Sequence, residues 1–382
     1  MPGIHALLSA SAAKRWLNCP PSAQLTADMP EQQSTYAEEG TLAHELCELK
    51  ARKKFEAMKK SEYDKRLKVI KANELYQPEM ESCSDAYLDY ILSVAHAYKS
   101  KPYVVIEKRL DFSNIVPEGF GTGDCILIVG CDLHIFDYKH GKGVPVSAED
   151  NPQMRLYALG ALNEYSFLFP IKNVIMHIVQ PRLDNFSEEQ ITKVNLAIWA
   201  DRIKPIAEQA IKGEGEFQCG DWCRFCKAKA TCRARADSFK PLEAFGQALP
   251  PLIDNQQVGD ILKIAENLKT WVSDLEEYAL AELLLGNAVP GWKAVEGRSN
   301  RAFTDIDKAF DTLKTNGFDE ALLYERKPIT LTNAEKLVGK KQFTELVGDY
   351  INKPQGKPTL APESDKREPF KRNIEEMFGG NE

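Results

Sequence analysis

Two aspartates and a lysine fall on one face of a hairpin that the sequence predicts in GDCILIVGCDLHIFDYKHG. Gly130 and Cys131 separate two alternating stretches, and glycine at the first position favours a two-residue type II′ turn. That register places Asp124 directly opposite Asp137, and the alternation of side chains puts Lys139 on the same face. Opposed side chains have Cβ atoms about 4.5–5.5 Å apart, so two carboxylates there repel unless a cation lies between them.

This arrangement is typical of a site for a hard divalent cation. Mg²⁺ and Mn²⁺ prefer carboxylate oxygens, keep several waters and complete their coordination with phosphate oxygens. A lysine beside such an ion can orient the attacking water or stabilise charge that builds on a phosphate. The three residues therefore indicate phosphodiester cleavage. The alternative is that Asp137 and Lys139 form an ordinary ion pair on a solvated strand.

Four motifs, in this order, resemble those of the PD-(D/E)XK nucleases, in the branch of RecB-like exonucleases. They are Gly40-Thr41-x-x-His44, Gly121-x-Gly123-Asp124, Asp137-Tyr138-Lys139 and Gln153-x-x-x-Tyr157. The resemblance covers about residues 36–235. More specifically, the whole chain looks like an uncharacterised family of phage and prophage proteins built around this core, with C-terminal features at residues 298–301 and 357–360.

The resemblance implies a role for each motif. Asp124 and Asp137 would hold the metal, with Lys139 as the catalytic lysine, and His44 would approach the metal from the first core helix. Gln153 and Tyr157 would contact the DNA or steady the site, although a helical i, i+4 pair can equally be packed core. Glu107, in the first predicted strand, also resembles an acidic metal position of such cores.

A second cluster consists of four cysteines with the spacing C-x3-C-x2-C-x5-C: Cys219, Cys223, Cys226 and Cys232. Such a group predicts either a zinc site closed by all four thiolates or an iron–sulfur cluster that takes a distant fourth cysteine. Similarity to RecB-like nucleases that carry a [4Fe-4S] cluster implies that Cys19 joins the last three, leaving Cys219 spare. Zn²⁺ remains the alternative. Such a cluster would be a clasp that joins the N-terminal corner to the end of the core.

The cysteine segment is also locally basic, with Arg224, Lys227, Lys229, Arg233 and Arg235. These cations could follow a phosphate backbone while a neighbouring tryptophan or phenylalanine stacks on an unpaired base. A solvated basic loop is the ordinary alternative.

Composition limits the class of protein. The chain has 382 residues, 43% hydrophobic and 27% charged, which excludes global disorder. Its 49 basic and 56 acidic residues give a net charge of -7, which argues against a protein coated by nucleic acid but allows a local basic track. No apolar run approaches the about 18 residues of a membrane span, and the start is too polar for a secretory signal. We therefore expect a cytoplasmic protein with no membrane partner.

Periodicity predicts an α/β or α+β protein: a restriction-endonuclease-like core in which helices flank a central mixed sheet, with an iron–sulfur clasp and a helical C-terminal region. Strands are expected at 103–112, 123–129, 132–139 and 174–179, and helices at 9–18, 84–98, 152–164 and 187–211, with another beginning near Glu38. The predicted domains are a nuclease domain at 1–236, closed by the cysteine cluster, a helical accessory domain at 237–350 and a flexible charged tail at 351–382.

These features together predict a metal-dependent DNA nuclease. The reaction would be phosphodiester hydrolysis with Mg²⁺ or Mn²⁺, most simply by an exonuclease at linear DNA ends in phage-type recombination or processing. Its partners would be DNA and a phage recombination or single-strand-binding protein. The alternative is a catalytically silent nucleic-acid-binding or assembly protein that keeps the fold. Because no G-x-x-x-x-G-K-[ST] loop occurs in the sequence, ATP-driven unwinding is not expected of this chain.

Overall fold

The computed structural model describes residues 6–30, 35–246, 253–295, 304–317, 319–320, 323–324, 329–347 and 350–351. The C-terminal motifs at 298–301 and 357–360, and residues 352–382 of the predicted tail, lie outside them. The chain divides into two compact units, Met1–Val295 and Glu296–Glu382. In the described part of the chain, no helix has both the length and the apolar character needed to cross a bilayer.

A five-stranded mixed sheet with strand order β1-β2-β3-β4-β5 forms the centre of the first unit. Its strands are β1 Tyr103–Asp111, β2 Phe120–Val129, β3 Asp132–Tyr138, β4 Asn173–Gln180 and β5 Asn185–Thr192. The three pairs β1–β2, β2–β3 and β4–β5 are antiparallel, whereas β3 and β4 are parallel. The parallel pair needs a crossover, and a helix after β3 supplies it.

Helices cover both faces of this sheet. The helices of the first unit are α1 Ala13–Asn18, α2 Ser22–Leu25, α3 Thr35–Phe55, α4 Lys60–Lys71, α5 Glu79–His96, α6 Pro152–Tyr165, α7 Lys193–Lys212, α8 Arg233–Asp237 and α9 Asn255–Leu284. One hydrophobic core joins α1, α6 and α7 to the sheet, and another joins α3, α4 and α5 to its opposite face. The predicted mixed sheet flanked by helices is thus confirmed, and the fold is mixed α+β.

Alternate residues of β2 enter the two cores. Ile126 and Ile128 belong to the core under α6, while Cys125 and Leu127 belong to the core under α3 and α5. This alternation is what the hydrophobic pattern of a strand covered on both faces requires.

The predicted helix at 187–211 is wrong at its beginning. Residues 185–192 form β5, in which exposed side chains alternate with half-buried ones along an edge strand paired to β4. The helix α7 begins only at Lys193, where the side-chain oxygen of Thr192 accepts a hydrogen bond from the backbone N–H of Asn195. The two glutamates within β5 favour helix by intrinsic propensity, but pairing with β4 outweighs that preference.

The N-terminal segment is part of the main core. Leu8 and Trp16 are fully buried, and Trp16 donates through Nε1 to the backbone oxygen of Ser9 at 3.0 Å. Farther along, the Gln24 side chain donates to the backbone oxygen of Ile211 at 2.6 Å, joining α2 to the end of α7. The segment that contains α1 and α2 is therefore held against α7.

The long helix α9 is tied to the cysteine segment. Its Asp274 binds Arg235 at 2.6 Å and Lys229 at 2.7 Å, and its Trp271 donates to the backbone oxygen of Ala230 at 2.8 Å. The boundary predicted at residue 236 thus lies inside the first unit. The second unit contains α10 Ile306–Thr315, α11 Leu331–Val338 and α12 Lys340–Val347, so the expected helical character of this region is seen where it is described.

Candidate metal centre

The hairpin that carries the two aspartates has the predicted register. Cys125 pairs with Phe136 and Val129 with Asp132, which makes Gly130 and Cys131 the two turn residues. Gly130 has φ of 59°, the left-handed conformation that the first position of a type II′ turn requires. Asp124 directly precedes Cys125, and its Oδ2 accepts a hydrogen bond from the backbone N–H of Tyr138 at 2.8 Å.

Three potential metal ligands converge from three elements: His44 of α3, Glu107 of β1 and Asp124 of β2. One donor atom of each lies within 4.8 Å of the others. Nδ1 of His44 is 3.3 Å from Oδ2 of Asp124. Ile106 pairs with Cys125 and Lys108 with Gly123, so Glu107 lies opposite Asp124. The ladder of paired residues is interrupted at this one position. Glu107 also has φ of 50°, a strained conformation for a residue with a side chain.

Asp137 lies outside this group of three and heads a second, connected network. Nζ of Lys139 is 2.8 Å from its Oδ2, and Nε2 of Gln153 donates to its Oδ1 at 3.2 Å. The same amide accepts from Lys139 through Oε1 at 3.2 Å and contacts the Tyr157 hydroxyl at 3.1 Å. Asn151 caps α6 by accepting from the backbone N–H groups of Gln153 and Met154, which fixes the helix end that carries this glutamine.

Burial and mutual charge move the pKa values of these groups in different directions. Burial raises the pKa of Asp137 more than Lys139 lowers it, whereas at Asp124 the effect of burial is overcome by His44, the Tyr138 N–H and Lys139, so its pKa is lowered. Burial, followed by the charge of Asp124, raises the pKa of Glu107 to about 7. The site therefore brings together three carboxyl groups, and ionising all of them at once is unfavourable because they are buried and repel one another.

The pKa values of the two bases respond to the same carboxylates. Burial alone would lower the pKa of His44 and that of Lys139, but Asp124 raises the first and Asp137 raises the second. Both side chains thus carry part of the charge that balances the acidic residues.

The donor set fits a divalent cation. Asp137 is buried, and its Oδ2 lies 2.8 Å from Nζ of Lys139. Among the described residues, the site holds the carboxyl groups of Asp124, Asp137 and Glu107 but a single lysine, so a bound cation would favour ionisation of all three. The carboxylate oxygens are ligands that suit Mg²⁺ or Mn²⁺, whereas the imidazole nitrogen is a ligand more typical of transition metals.

A supporting network that the sequence did not reveal lies behind the centre. The Tyr138 hydroxyl contacts Nδ1 of His140 at 2.8 Å, and Nε2 of His140 is 3.1 Å from Oε1 of Glu39 on α3. Arg182 donates to the same Glu39 oxygen at 2.8 Å and pairs with Glu79 at 3.2 Å. These residues connect α3, which carries His44, to the strand that carries Asp137. Their separations of 101 and 143 residues leave no local pattern that could have predicted them.

The cysteines that the sequence predicts to hold a metal cluster line one small cavity. Its walls include Cys19 and all four cysteines of the segment after α7. Sγ atoms of Cys219 and Cys223 are 3.8 Å apart, but among the described residues no three cysteine sulfurs lie within 4.8 Å of one another. Burial raises the pKa of Cys223 to about 12 and also raises that of Cys226. The iron–sulfur clasp thus stays a prediction.

Fold and site together define a mixed α+β protein with a candidate metal centre at one end of its central sheet. The chain belongs to the family described as "Protein of unknown function (DUF2800)", whose sequence model matches residues 5–368. This agrees with the whole-chain resemblance to an uncharacterised phage-type family. One similar solved chain is titled "Crystal structure of SSO0001", with 16% sequence identity, 58% of this chain and 96% of that chain covered, and a TM-score of 0.23. A likeness at that TM-score defines neither a shared fold nor a shared activity.

Proposed function

We propose that this protein is a metal-dependent deoxyribonuclease of the PD-(D/E)XK class, similar to RecB-like exonucleases. The observation that carries the proposal is the meeting of His44, Glu107 and Asp124 beside a buried Asp137 that is held by Lys139. An ion pair on a solvated strand would need neither a buried aspartate nor three further acidic or basic groups from other elements.

Each residue has a role in phosphodiester hydrolysis under this proposal. Asp124, Asp137, Glu107 and His44 would hold Mg²⁺ or Mn²⁺, which when bound supplies positive charge to a phosphate and lowers the pKa of water. Lys139 orients the attacking water or donates to the charge that develops on the phosphate oxygens. Gln153 holds the lysine by accepting from it, and at the same time donates to Asp137, so the lysine and the carboxylate keep a fixed relative position.

We further propose that Cys19, Cys223, Cys226 and Cys232 hold a [4Fe-4S] cluster with a structural role, with Zn²⁺ as the alternative. Support comes from the shared cavity, which brings Cys19 to a segment about 200 residues later. A tetrahedral zinc site with Zn–S bonds of about 2.3 Å needs sulfurs roughly 3.8 Å apart. The Cys219–Cys223 pair has that spacing, 3.8 Å, so a zinc site would include Cys219, whereas the proposed iron–sulfur cluster leaves it out.

The test is cleavage of end-labelled linear and closed circular DNA by anaerobically purified protein with Mg²⁺ or Mn²⁺. We expect degradation of the linear form, abolished by Asp137→Asn and unaffected by Asp201→Asn, a matched change at an exposed position of α7. Cleavage of both forms would indicate an endonuclease at the same site. If the folded, metal-loaded protein cleaves neither form, the chain is instead a binding or assembly protein that keeps the fold.

A further inference from the structure

A large open cleft lies between the cysteine segment, the N-terminal segment and α9. Its volume is about 1040 Å³, and it is separate from the candidate metal ligands. This lies at the upper end of the roughly 300–1,000 Å³ of small-molecule pockets, so the cleft has room for several nucleotides of a polymer.

The cleft is positively charged. Lys14, Arg15, Arg224 and Lys263 line it, with Lys263 in an exposed, loose pair with Asp260 at 3.8 Å, and Asp221 is the one carboxylate among the described lining residues. A further basic residue of the wall, Arg235, is neutralised by Asp274. In the described part of the chain Arg15 donates only to neutral oxygens, those of Ser22 and Thr26. The excess positive charge favours a polyanion, although the protein as a whole is acidic.

Aromatic side chains stand among these cations. Phe225 is 78% exposed, which is unusual for phenylalanine and leaves a ring face open to the cleft. The Arg224 guanidinium lies 6.0 Å from the centre of that ring. Trp222 forms part of the same wall, with its Nε1 donating to the backbone oxygen of Gln218 at 3.0 Å. Open aromatic faces beside cations are the pattern that binds unpaired bases and their phosphates, since stacking needs bases that are not already stacked in a duplex.

One wall of the cleft is connected to the strand that carries Asp124. Ser11 and Ala12 in its wall follow Ala10, whose Cβ would lie 3.5 Å from a Cβ at Gly121, beside the ring of Tyr157. Gly121 is three residues before Asp124 on β2, a strand distance of about 10 Å. On another side, Val144 belongs to the loop that follows Lys139. Two walls of the cleft are thus connected to the elements that carry Asp124 and Lys139.

We infer that this cleft binds a single strand of DNA, with its phosphates on the four cations and a base stacked on Phe225. The inference rests on the proposed function for the identity of the polymer and adds the form of the substrate: an unpaired strand leading to the metal centre. An acidic peptide would use the cations but has no flat bases for the exposed ring.

The test is binding of a fluorescent oligothymidine to the full-length, metallated protein without added Mg²⁺ or Mn²⁺, over a range of salt concentrations. Phe225→Ala should weaken binding about 5- to 100-fold. Replacing Lys14, Arg224 and Lys263 together by glutamine should reduce the salt slope by about 2, because each phosphate contact on a single strand contributes about 0.7.

Matched controls lie outside the cleft. Phe167→Ala removes a ring that is 94% exposed, and Lys54→Gln removes an exposed lysine of α3. Both should bind as the wild type does. Because Phe225 adjoins Cys226, the single change Lys263→Gln on α9 provides a second cleft variant far from the cysteines in sequence. It should weaken single-strand binding about threefold and lower the slope by about 0.7.

Three results would overturn the inference: unchanged binding by the cleft variants, equal and cleft-dependent binding of a duplex of the same length, or displacement of the oligothymidine by polyglutamate at equal charge concentration. Failure of the proposed function is distinguishable. If DNA is never cleaved but the cleft variants still weaken binding, the nuclease proposal fails and the cleft stands. If DNA is cleaved and the cleft variants bind normally, only the cleft assignment fails.

Discussion

Nζ of Lys139 lies 2.8 Å from Oδ2 of Asp137, with side-chain exposures of 26% for the lysine and 3% for the aspartate. The aspartate is therefore nearly enclosed, and the lysine supplies the positive charge closest to it. Removing that charge affects a buried carboxylate, which water can stabilise only poorly. This relationship makes the two residues separable by experiment, since stability and cleavage depend on them differently.

Lys139→Gln should lower the free energy of unfolding by about 1–3 kcal/mol in metal-free buffer, because Asp137 loses its cation. Added Mn²⁺ should raise the melting temperature more in this variant than in the wild type, since the ion then supplies the missing charge. Cleavage should fall by about 10²- to 10⁴-fold. Lys240→Gln, at an exposed pair with Asp237, is the control. Equal responses of the variant and the wild type to Mn²⁺ would contradict a metal at Asp137.

Glu39→Gln should weaken Mn²⁺ binding although Glu39 is not a ligand. Its carboxylate contacts the His140 ring and accepts a hydrogen bond from the buried side chain of Arg182. Glu39 also belongs to α3, the helix that positions His44. We expect a loss of about 1–3 kcal/mol in stability and a higher Mn²⁺ dissociation constant, measured by calorimetry below the melting transition. The exposed neighbour Glu38 offers the control Glu38→Gln. A purely structural residue would change melting and leave the Mn²⁺ dissociation constant unaltered.

Gly121→Ala should destabilise the contact between β2 and α6. A Cβ at this position would lie 2.6 Å from Cε1 of Tyr157, closer than carbon atoms can approach. The ring must move, so we expect a loss of about 1–3 kcal/mol in stability and a disturbed Tyr157–Gln153 contact. Gly141→Ala, where a Cβ would meet nothing within 4 Å, should change stability by less than about 0.5 kcal/mol. Chemical denaturation of both variants checks this, and equal stabilities would contradict it.

Acid should destabilise the fold through a buried pair of histidines on β3 and β4. Nδ1 of His134 is 2.9 Å from Nε2 of His177, and burial lowers the pKa of His134 to about 4 and that of His177 to about 3. The unfolded chain binds protons near its ordinary histidine pKa of 6.5, so it takes up protons that the folded state refuses. Stability is therefore present above about pH 6.5 and is lost as the pH falls toward about 3.

The measurement is the urea midpoint as a function of pH. Replacing His177 by glutamine should flatten the decline between about pH 6.5 and 4, where the histidine contributes up to roughly 3 kcal/mol. His96→Gln, at an exposed helix end, should leave the decline unchanged. A decline that is identical in all three proteins would assign the acid sensitivity to carboxylates instead.

The cysteine assignments can be separated by single serine substitutions. If an iron–sulfur cluster joins Cys19 to Cys223, Cys226 and Cys232, then Cys19→Ser should lose bound iron and Cys219→Ser should keep it. A local zinc site of the four clustered cysteines gives the reverse for these two variants, with zinc in place of iron. Metal and sulfide analysis of anaerobically purified protein decides between them, and Cys83→Ser, in the core under α5, serves as the control.

Loss of the cluster should affect folding more than catalysis. Cys223→Ser should lower the melting temperature, whereas Asp124→Asn should abolish cleavage with little change in melting. Equal melting defects in the two variants would contradict a structural role for the cysteine cluster and a catalytic role for the carboxylate site. Both proteins can be compared in one set of thermal melts and cleavage assays.

The hairpin was predictable because its determinants are local. A glycine at the first turn position and strict alternation on both sides fix the register, and with it the position of Asp124 opposite Asp137. The approach of His44 followed only from resemblance to a nuclease family, since α3 and β2 are about 80 residues apart. Neither Glu39 nor Arg182 has a local signal. The edge strand β5 was missed because pairing with β4, which is a tertiary interaction, outweighs the helical preference of its glutamates.

The bond from Gln24 to the backbone of Ile211 has a consequence for how the chain is made. A ribosome makes α2 before α7, whose residues appear some 190 residues later. At about 5–20 residues per second, this bond forms no sooner than roughly 10–40 s after Gln24 is made. Folding of the first unit during synthesis therefore cannot be completed in chain order, because the contact between α2 and α7 joins segments that are made far apart in time.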